Sequence, residues 1–412
     1  MTIRVVIASY IFPPRNGPGS DRVYAYAKYL SEHGFNVTVF APESAGNLSY
    51  PMTGFSVIRV GKSSAIVGGS IKRLSFPWLR KVAQKLALTE FYRMLPWFSS
   101  RRDESSWLAD VQIAIEKFII QFGCDLLLTS HPPSETIRLG SRIKQNFPNL
   151  HWVIDYRDLY SRNHMADYFP FVKLLLEAIE KNCLRSADAI IIASESFLVD
   201  QESLLPKGIK KIVIYNGFFR LPRVSGVKSE KNRKACVNKL VLAYTGALYN
   251  GKRDIETLLR FVGSSPSYFL NLVLFSHDEK RLVERLLDRC GVRASSINIR
   301  VNLSREETLK IQNDSDMLVV LLRKDGKDRS YPTAKLFEYI SSGKPILGFG
   351  VPDSEASKIL TKLNAGIFFS DIPTATDLDR LKNMTIKEEE LTEYLRRSQV
   401  YNLISHIEEK YK

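Results

Sequence analysis

Short runs of β-branched and apolar residues alternate with stretches of helical length from end to end of this chain, and the alternation restarts once. That pattern is the signature of parallel sheets covered by helices. Residues 3–9 read as a strand. Residues 20–33 read as a helix with Ser20 as its N-cap, a stripe of Val23, Tyr26, Ala27 and Leu30, and Gly34 past its end; residues 36–41 read as the next strand. Beyond a basic insertion at 60–107, strands are expected near 126–128, 151–154, 189–192 and 212–214, completing an N-terminal α/β domain over 1–219. Residues 220–239 turn polar and basic and are read as a linker. The pattern restarts at 240–244, with strands near 269–275, 297–301, 317–322, 345–349 and 366–369 forming a second domain over 240–385. The remaining residues, 386–412, form a charged helical segment expected to pack back on the N-terminal domain.

A chain of 412 residues with 44% hydrophobic residues exceeds one core and can bury a sizeable core in each of two domains. Cys124, Cys183, Cys236 and Cys290 are far apart, with no C-x-x-C spacing, so neither a zinc site nor a disulfide framework is expected and a reducing cytosol fits. The N-terminal strand is punctuated by Pro13 and Pro14 too soon for a signal peptide, and no apolar run reaches the roughly 20 residues that span a bilayer. A cytoplasmic location follows. The net charge of +15 favours an anionic partner: a nucleotide, a phospholipid surface, a phosphorylated acceptor or nucleic acid. The excess is local, since residues 62–102 carry nine Lys and Arg against Glu90 alone. No recognition motif supports nucleic-acid binding, and none is expected.

In open parallel sheets ligands sit beyond the carboxyl ends of strands, where helix N-termini attract anions. The loop from Tyr10 to Ser20 qualifies, with Gly17 and Gly19 placed to let backbone approach a ligand. It lacks the third glycine of a dinucleotide fingerprint, so no nicotinamide cofactor is expected. Residues 330–343 form the most informative stretch. Pro332 suits the first turn of a helix and Gly343 its end. Leu336, Phe337 and Ile340 form a buried stripe while Lys335 and Glu338 share the opposite face. A carboxylate there can accept two hydrogen bonds from a ribose diol; the pair also reads as an ordinary surface ion pair.

The string Lys335-Leu336-Phe337-Glu338-Tyr339-Ile340 followed by Gly343-Lys344-Pro345-Ile346-Leu347 resembles the donor-site signature of glycosyltransferase family 4. Phe12-Pro13-Pro14 through Arg22-Val23 is similar to that family's opening unit. Ser130-His131-Pro132-Pro133-Ser134 and Asp155-Tyr156-Arg157-Asp158-Leu159-Tyr160 resemble segments of its polysaccharide-assembly members. Asn216-Gly217-Phe218 and Tyr244-Thr245-Gly246-Ala247-Leu248-Tyr249, with Lys252-Arg253-Asp254, look like its interdomain turn and the start of its donor domain. Order and spacing carry the resemblance over nearly the whole chain.

The resemblance implies the GT-B fold, two Rossmann-like domains with parallel sheets facing a central cleft. It implies a hexosyltransferase, retaining and metal-independent, moving a sugar from a nucleotide diphosphate sugar to a saccharide or lipid-linked acceptor in bacterial surface polysaccharide or glycolipid assembly. Glu338 would hold the donor ribose, with Gly17, Gly19, Gly246, Thr333 and Lys335 also on the donor side. Lys252 or Arg253 would neutralise the departing diphosphate. From its own place beside Arg157 at the end of an expected strand, Asp158 reads either as the group that positions or activates the acceptor hydroxyl, with Arg157 and His131 on the acceptor side, or as a helix N-cap or local ion pair; His131, in a Pro-rich turn after a strand, reads equally as a packing residue. Two positions depart from the family: Ser330 stands where a second glutamate is common, and Ala247 where an arginine is frequent. A nucleotide-sugar epimerase or hydrolase, or a non-catalytic nucleotide-sugar-binding subunit, are the alternatives.

Asp314-Ser315-Asp316 matches a metal-binding D-x-D but directly precedes an expected strand and reads as a helix end. The six histidines show no ligand spacing, so no metal and no cofactor are expected. Residues 78–87 place Trp78, Leu79, Val82 and Leu86 opposite Arg80, Lys81, Gln84 and Lys85, the pattern of a helix at an anionic membrane surface or of one packed on its own domain.

Overall fold

The computed structural model describes residues 2–62, 104–221 and 239–412, with Val82 and Leu86 besides. The chain divides into two compact units, Met1–Asn216 with Arg396–Lys412, and Gly217–Leu395. The amphipathic stretch at 78–87, apart from those two residues, and nearly all of the segment read as a linker lie outside the described residues. No helix among the described residues is long and apolar enough to cross a membrane.

The first unit runs β1 (Arg4–Ser9), α1 (Pro18–Glu32), β2 (Asn36–Glu43), β3 (Ser56–Lys62), α2 (Glu104–Phe122), β4 (Leu126–His131), α3 (Glu135–Asn146), β5 (His151–Tyr156), α4 (Pro170–Leu184), β6 (Ala189–Ile192), α5 (Glu195–Gln201) and β7 (Lys210–Val213). Its seven strands are parallel in the order β3-β2-β1-β4-β5-β6-β7. Strands β4, β5 and β6 are buried at every position, which is why each carries a run of successive apolar residues, Leu126–Leu128, Trp152–Ile154 and Ala189–Ile192, rather than an alternating pattern. Winding reverses between β1 and β4, so the crevice for a ligand opens beyond Ser9 and His131.

Helix α1 begins at Pro18 rather than at Ser20. Gly17 is its N-cap at φ +135°, a conformation that glycine reaches without strain, and Pro18 supplies the helical φ at the first position. Ser20 is therefore inside the first turn and wholly buried.

The second unit runs β8 (Leu240–Thr245), α6 (Ile255–Gly263), β9 (Tyr268–Leu274), α7 (His277–Leu287), β10 (Ile297–Val301), α8 (Arg305–Asp314), β11 (Met317–Leu321), α9 (Ala334–Ile340), β12 (Ile346–Phe349), α10 (Glu355–Leu363), β13 (Gly366–Phe369), α11 (Ala375–Lys382) and α12 (Glu388–Leu391). Its six parallel strands lie in the order β10-β9-β8-β11-β12-β13, with the reversal between β8 and β11. Side chains cap its helices: Asp254 takes the Thr257 N–H, Ser276 the Glu279 N–H, Ser354 the Ser357 N–H, and Ser304 with Glu307 closes a reciprocal box on α8. Leu242, Leu258, Leu259, Leu270, Leu272, Val319 and Leu347 fill the core. Helix α9 starts at Ala334 with Thr333 as N-cap, so Pro332 lies before the helix, not in its first turn.

The last helix, α13 (Arg396–Tyr411), belongs to the first unit. It is tied down by Gln399 to the Tyr215 N–H at 2.6 Å, Asn402 to the Val213 carbonyl at 3.0 Å, Glu408 to His33 at 2.9 Å and the Tyr411 hydroxyl to the Asp125 carbonyl at 2.6 Å.

Candidate active site

At the β8/β11 reversal of the second unit, three elements converge on one hydrogen-bonded network. Gln312, in the last turn of α8, donates from Nε2 to Thr245 Oγ1 at the end of β8 (2.9 Å) and to Glu338 Oε1 on α9 (2.7 Å). The Tyr339 hydroxyl accepts the Thr245 N–H and stands 3.0 Å from Thr245 Oγ1. Lys335 reaches Glu338 Oε1 at 2.9 Å, so the pair expected on one face is formed. Burial works against the charge on Glu338, but the Lys335 ammonium and the Gln312 amide outweigh it, and the carboxyl titrates below its usual range. The side chain keeps 31% exposure. An ionised acceptor held by two donors, with one face open, is suited to a diol.

The loop after β8 carries the expected cations. Its backbone turns through left-handed Tyr249 (φ 51°), Asn250 (φ 58°) and Gly251 (φ 80°), an unusual conformation for a tyrosine. Glu279 holds it there by accepting the Leu248 and Tyr249 N–H groups at 2.6 and 3.0 Å. Arg253 is 8% exposed; its guanidinium lies 5.4 Å from the Tyr249 ring centre and donates to the Leu321 carbonyl at the end of β11. Lys252 is half-buried in the same turn. The Gly246 N–H is taken by the Val273 carbonyl, and its missing side chain leaves room for the Tyr244 hydroxyl, 3.1 Å from where a Cβ would stand. Thr333 caps α9 without a side-chain hydrogen bond. In the loop before it Asp328 Oδ1 takes the Arg323 N–H, and Ser330 is buried. Asp314 ends α8 and Asp316 Oδ2 accepts the Val241 N–H, so this stretch serves the β8 edge.

In the first unit, the segments around α1, β4 and β5 meet through a buried charge. Asp155 accepts Arg22 Nη2 (2.8 Å) and Nε (3.0 Å), the Tyr26 hydroxyl (3.0 Å) and the Ser130 hydroxyl (2.8 Å), while Arg22 Nη1 donates to the Ile214 carbonyl (2.8 Å). Beyond this pair lies His131, buried, its ring 5.1 Å from Tyr156 and 6.0 Å from Tyr160. Burial lowers its pKa to about 4 against the pull of Asp158, so it is neutral near pH 7. Arg157 lies against Gly19, where an added Cβ would meet Nη1 at 1.6 Å. The close approach that Gly19 permits is thus made by this side chain. Asp158 is partly exposed and 3.6 Å from Arg157 Nε. Gly17 has open space at its Cβ position.

Sequence reading did not single out Gln312, Thr245, Glu279, Arg22 or Asp155 as functional. Their partners lie 26 to 133 residues away, beyond any local spacing signal.

No family model and no curated protein matches the chain. Solved structures match nearly its whole length at low identity. Sucrose-phosphate synthase from Thermosynechococcus elongatus is 16% identical, with 99% of each chain covered and a TM-score of 0.66. Anabaena HepE, solved with UDP and glucose, is 14% identical over 97% of this chain and 94% of that one, at 0.57. The lipopolysaccharide outer core galactosyltransferase WaaB is 13% identical over 98% and 99%, at 0.56. The fold is therefore the two-domain, Rossmann-like GT-B architecture that such glycosyltransferases share.

Proposed function

We propose that the chain is a glycosyltransferase of family 4 type, taking a hexose from a nucleotide diphosphate sugar bound by its second unit. The acceptor, a saccharide or lipid-linked glycan of a bacterial surface polysaccharide, is presented by the first unit. The observation that carries this reading is Glu338: an ionised carboxylate at the strand-order reversal, fixed by Lys335 and Gln312 and still partly open. HepE, solved with UDP-glucose, and the galactosyltransferase WaaB lend it support through shared fold. Lys252 then faces the charge that grows on the leaving diphosphate, and Arg253 shapes the loop that carries it. On the acceptor side neutral His131 and the Asp158 carboxyl group hold or accept the proton of the attacking hydroxyl. We infer a retaining outcome, no metal requirement, and work at the cytoplasmic membrane face through the basic insertion at 60–107.

A thermal-shift panel of uridine, guanosine, adenosine and cytidine diphosphates and their sugar conjugates tests the donor, because a ligand specific to the folded state raises apparent stability. Transfer to an acceptor in the presence of EDTA, with product anomers read by NMR, tests reaction, metal independence and stereochemistry. Sedimentation equal with neutral and anionic liposomes at low salt would sink the membrane reading. A second reading, a nucleotide-sugar-binding subunit without turnover, is favoured by Ser330 and by the engagement of Arg253 with the Leu321 carbonyl; binding without transfer or hydrolysis would select it.

A further inference from the structure

Helix α4 buries an acid that no cation meets. Glu180 is 1% exposed; its Oε2 accepts the Ser161 N–H at 3.1 Å, and its Oε1 is buried without a hydrogen-bond partner. Glu177, one turn earlier on the same helix, is the contrast, since it pairs with Arg162 at 2.9 Å and keeps 20% exposure. An ionised carboxylate buried like Glu180 gives up its hydration for a single hydrogen bond, whereas a neutral acid needs only one acceptor for its proton. Acceptors stand in the same region. Ser161 Oγ and both ends of the Gln201 amide are buried without partners. Arg162 brings the end of α5 to this loop by donating to the Asp200 carbonyl and to Ser203 Oγ.

The loop that Glu180 holds carries the acceptor-side candidates. It leaves β5 at Tyr156, and the Asn163 N–H closes a turn on the Tyr160 carbonyl with Ser161 inside it. Arg157 and Asp158 lie just upstream, and the Tyr160 ring is 6.0 Å from His131. Charges on the packed elements leave Glu180 neutral. On α4, Lys181 is exposed and Glu177 is taken by Arg162; Cys183 is raised by burial, which Arg138 and Arg142 of α3 oppose and Glu180 reinforces. On the loop, Arg157 and Asp158 pair at 3.6 Å and His164 is half-buried; past α5, Asp200 is a further acid and Glu202 pairs with Lys211 at 3.2 Å. Burial pushes the Glu180 carboxyl up to about 8 against the pull of the Ser161 N–H.

We infer that Glu180 is a positioning residue for the acceptor-side segment Arg157–Asp158, holding the loop after β5 on α4 as a neutral carboxylic acid. Ionisation places a charge where no cation meets it, and the loop opens to let water reach it. The latch is independent of the chemistry proposed above; its bearing on transfer rests on the transferase reading.

Hydrogen exchange of residues 157–164 in the full chain, followed from pH 6 to pH 9.5 and corrected for the base catalysis of exchange itself, reads the latch. Wild type should keep Ser161 protected up to about pH 8 and then open, the open fraction rising by up to about tenfold per pH unit. Glu180→Gln keeps the shape and an acceptor oxygen but does not ionise, and it should show no break near pH 8. Its melting point should also exceed that of wild type, increasingly so from about pH 5 to about pH 8. An unfolded glutamate titrates near about 4.3, so between that value and about 8 the folded wild type holds the extra proton; this contribution to stability is fully present below about pH 4.3 and is lost as pH rises to about 8. The same break in Glu180→Gln, or none in wild type, overturns the proposal, and the wild-type profile decides alone should the variant fold poorly. Turnover of UDP-glucose with octyl glucoside as the acceptor probe is the second arm. The KM for the glucoside should rise above about pH 8 in wild type and stay level in Glu180→Gln, with kcat moving less. A level wild-type KM while the loop opens limits Glu180 to a structural role and overturns positioning. Absence of transfer at every pH, with the exchange break present, counts against the transferase reading and leaves the latch standing.

Discussion

Gln312 donates to Glu338 across 2.7 Å, and the same amide reaches Thr245 at 2.9 Å. One side chain of α8 therefore fixes the α9 carboxylate against the end of β8. Losing a hydrogen bond to a charged group costs about 1.5–3 kcal/mol. Glu338→Ala should thus weaken binding of the cognate nucleotide by roughly tenfold to a hundredfold without unfolding the unit. Gln312→Leu should weaken it less, and chiefly by freeing the carboxylate to rotate. Calorimetry on both variants decides the matter; wild-type affinity in a folded Glu338→Ala protein removes the donor site from α9.

Lys252 and Arg253 are adjacent, and the fold gives them different tasks. Arg253 is tied to the Leu321 carbonyl and lies by the ring of left-handed Tyr249, so Arg253→Ala should lower the melting temperature as well as the rate. Lys252→Ala should cost less stability than Arg253→Ala, because Lys252 is half-buried where Arg253 is buried, and should act on kcat more than on KM. Urea melts and steady-state rates separate the two. Unchanged turnover in both variants would move the phosphate site elsewhere, with Arg323, Lys324 and Lys335 the next candidates.

The buried pair Arg22 and Asp155 joins α1 to β5 and, through Ile214, to the segment after β7. Removing one member strands the other without water, at a cost of about 3–5 kcal/mol. Asp155→Ala and Arg22→Ala should each destabilise the first unit on that scale, while the paired substitution to apolar residues of similar volume should restore much of the loss. Denaturant melts of the single and double variants test the coupling; additive losses would show that the pair is not a unit.

Most of the architecture was legible because parallel strands buried on both faces carry unbroken apolar runs, as in Leu126–Leu128 and Met317–Leu321. Lys335 and Glu338 were legible as a pair since three-residue spacing on a helix brings them together. Helix starts were harder: Pro18 moved α1 two residues upstream of Ser20, and α9 begins two residues after Pro332. Gln312 was not legible at all. It sits in the charged helix Arg305–Asp314, where an amide looks like surface until β8 and α9 close over it. Asp155 and Arg22 are 133 residues apart, and only the sheet order brings them together.

The closing helix α13 meets the sheet through two buried histidines, and its attachment should weaken in acid. His406 Nε2 stands 3.0 Å from His151 Nε2. Burial lowers both pKa values, that of His151 to about 4. Asp188 opposes the shift at His151, whereas Lys144, Lys410 and His406 itself reinforce it; at His406, Lys210 and Lys410 reinforce it and Glu409 opposes it. In an unfolded chain imidazole titrates near about 6.5. Between that value and the folded pKa the unfolded chain binds more protons, so stability is fully present above about pH 7 and is lost as pH falls towards 4. Two imidazolium ions 3.0 Å apart would repel, which makes the second protonation harder than the first. Melting temperature measured from pH 8 to pH 4.5 should therefore decline through the lower half of that range, and the double variant His151→Phe/His406→Leu should decline less steeply. Hydrogen exchange should place the first acid-induced opening at residues 396–411. Equal pH slopes in wild type and double variant would assign the acid sensitivity to other groups, with the Glu408 contact to His33 the first to examine.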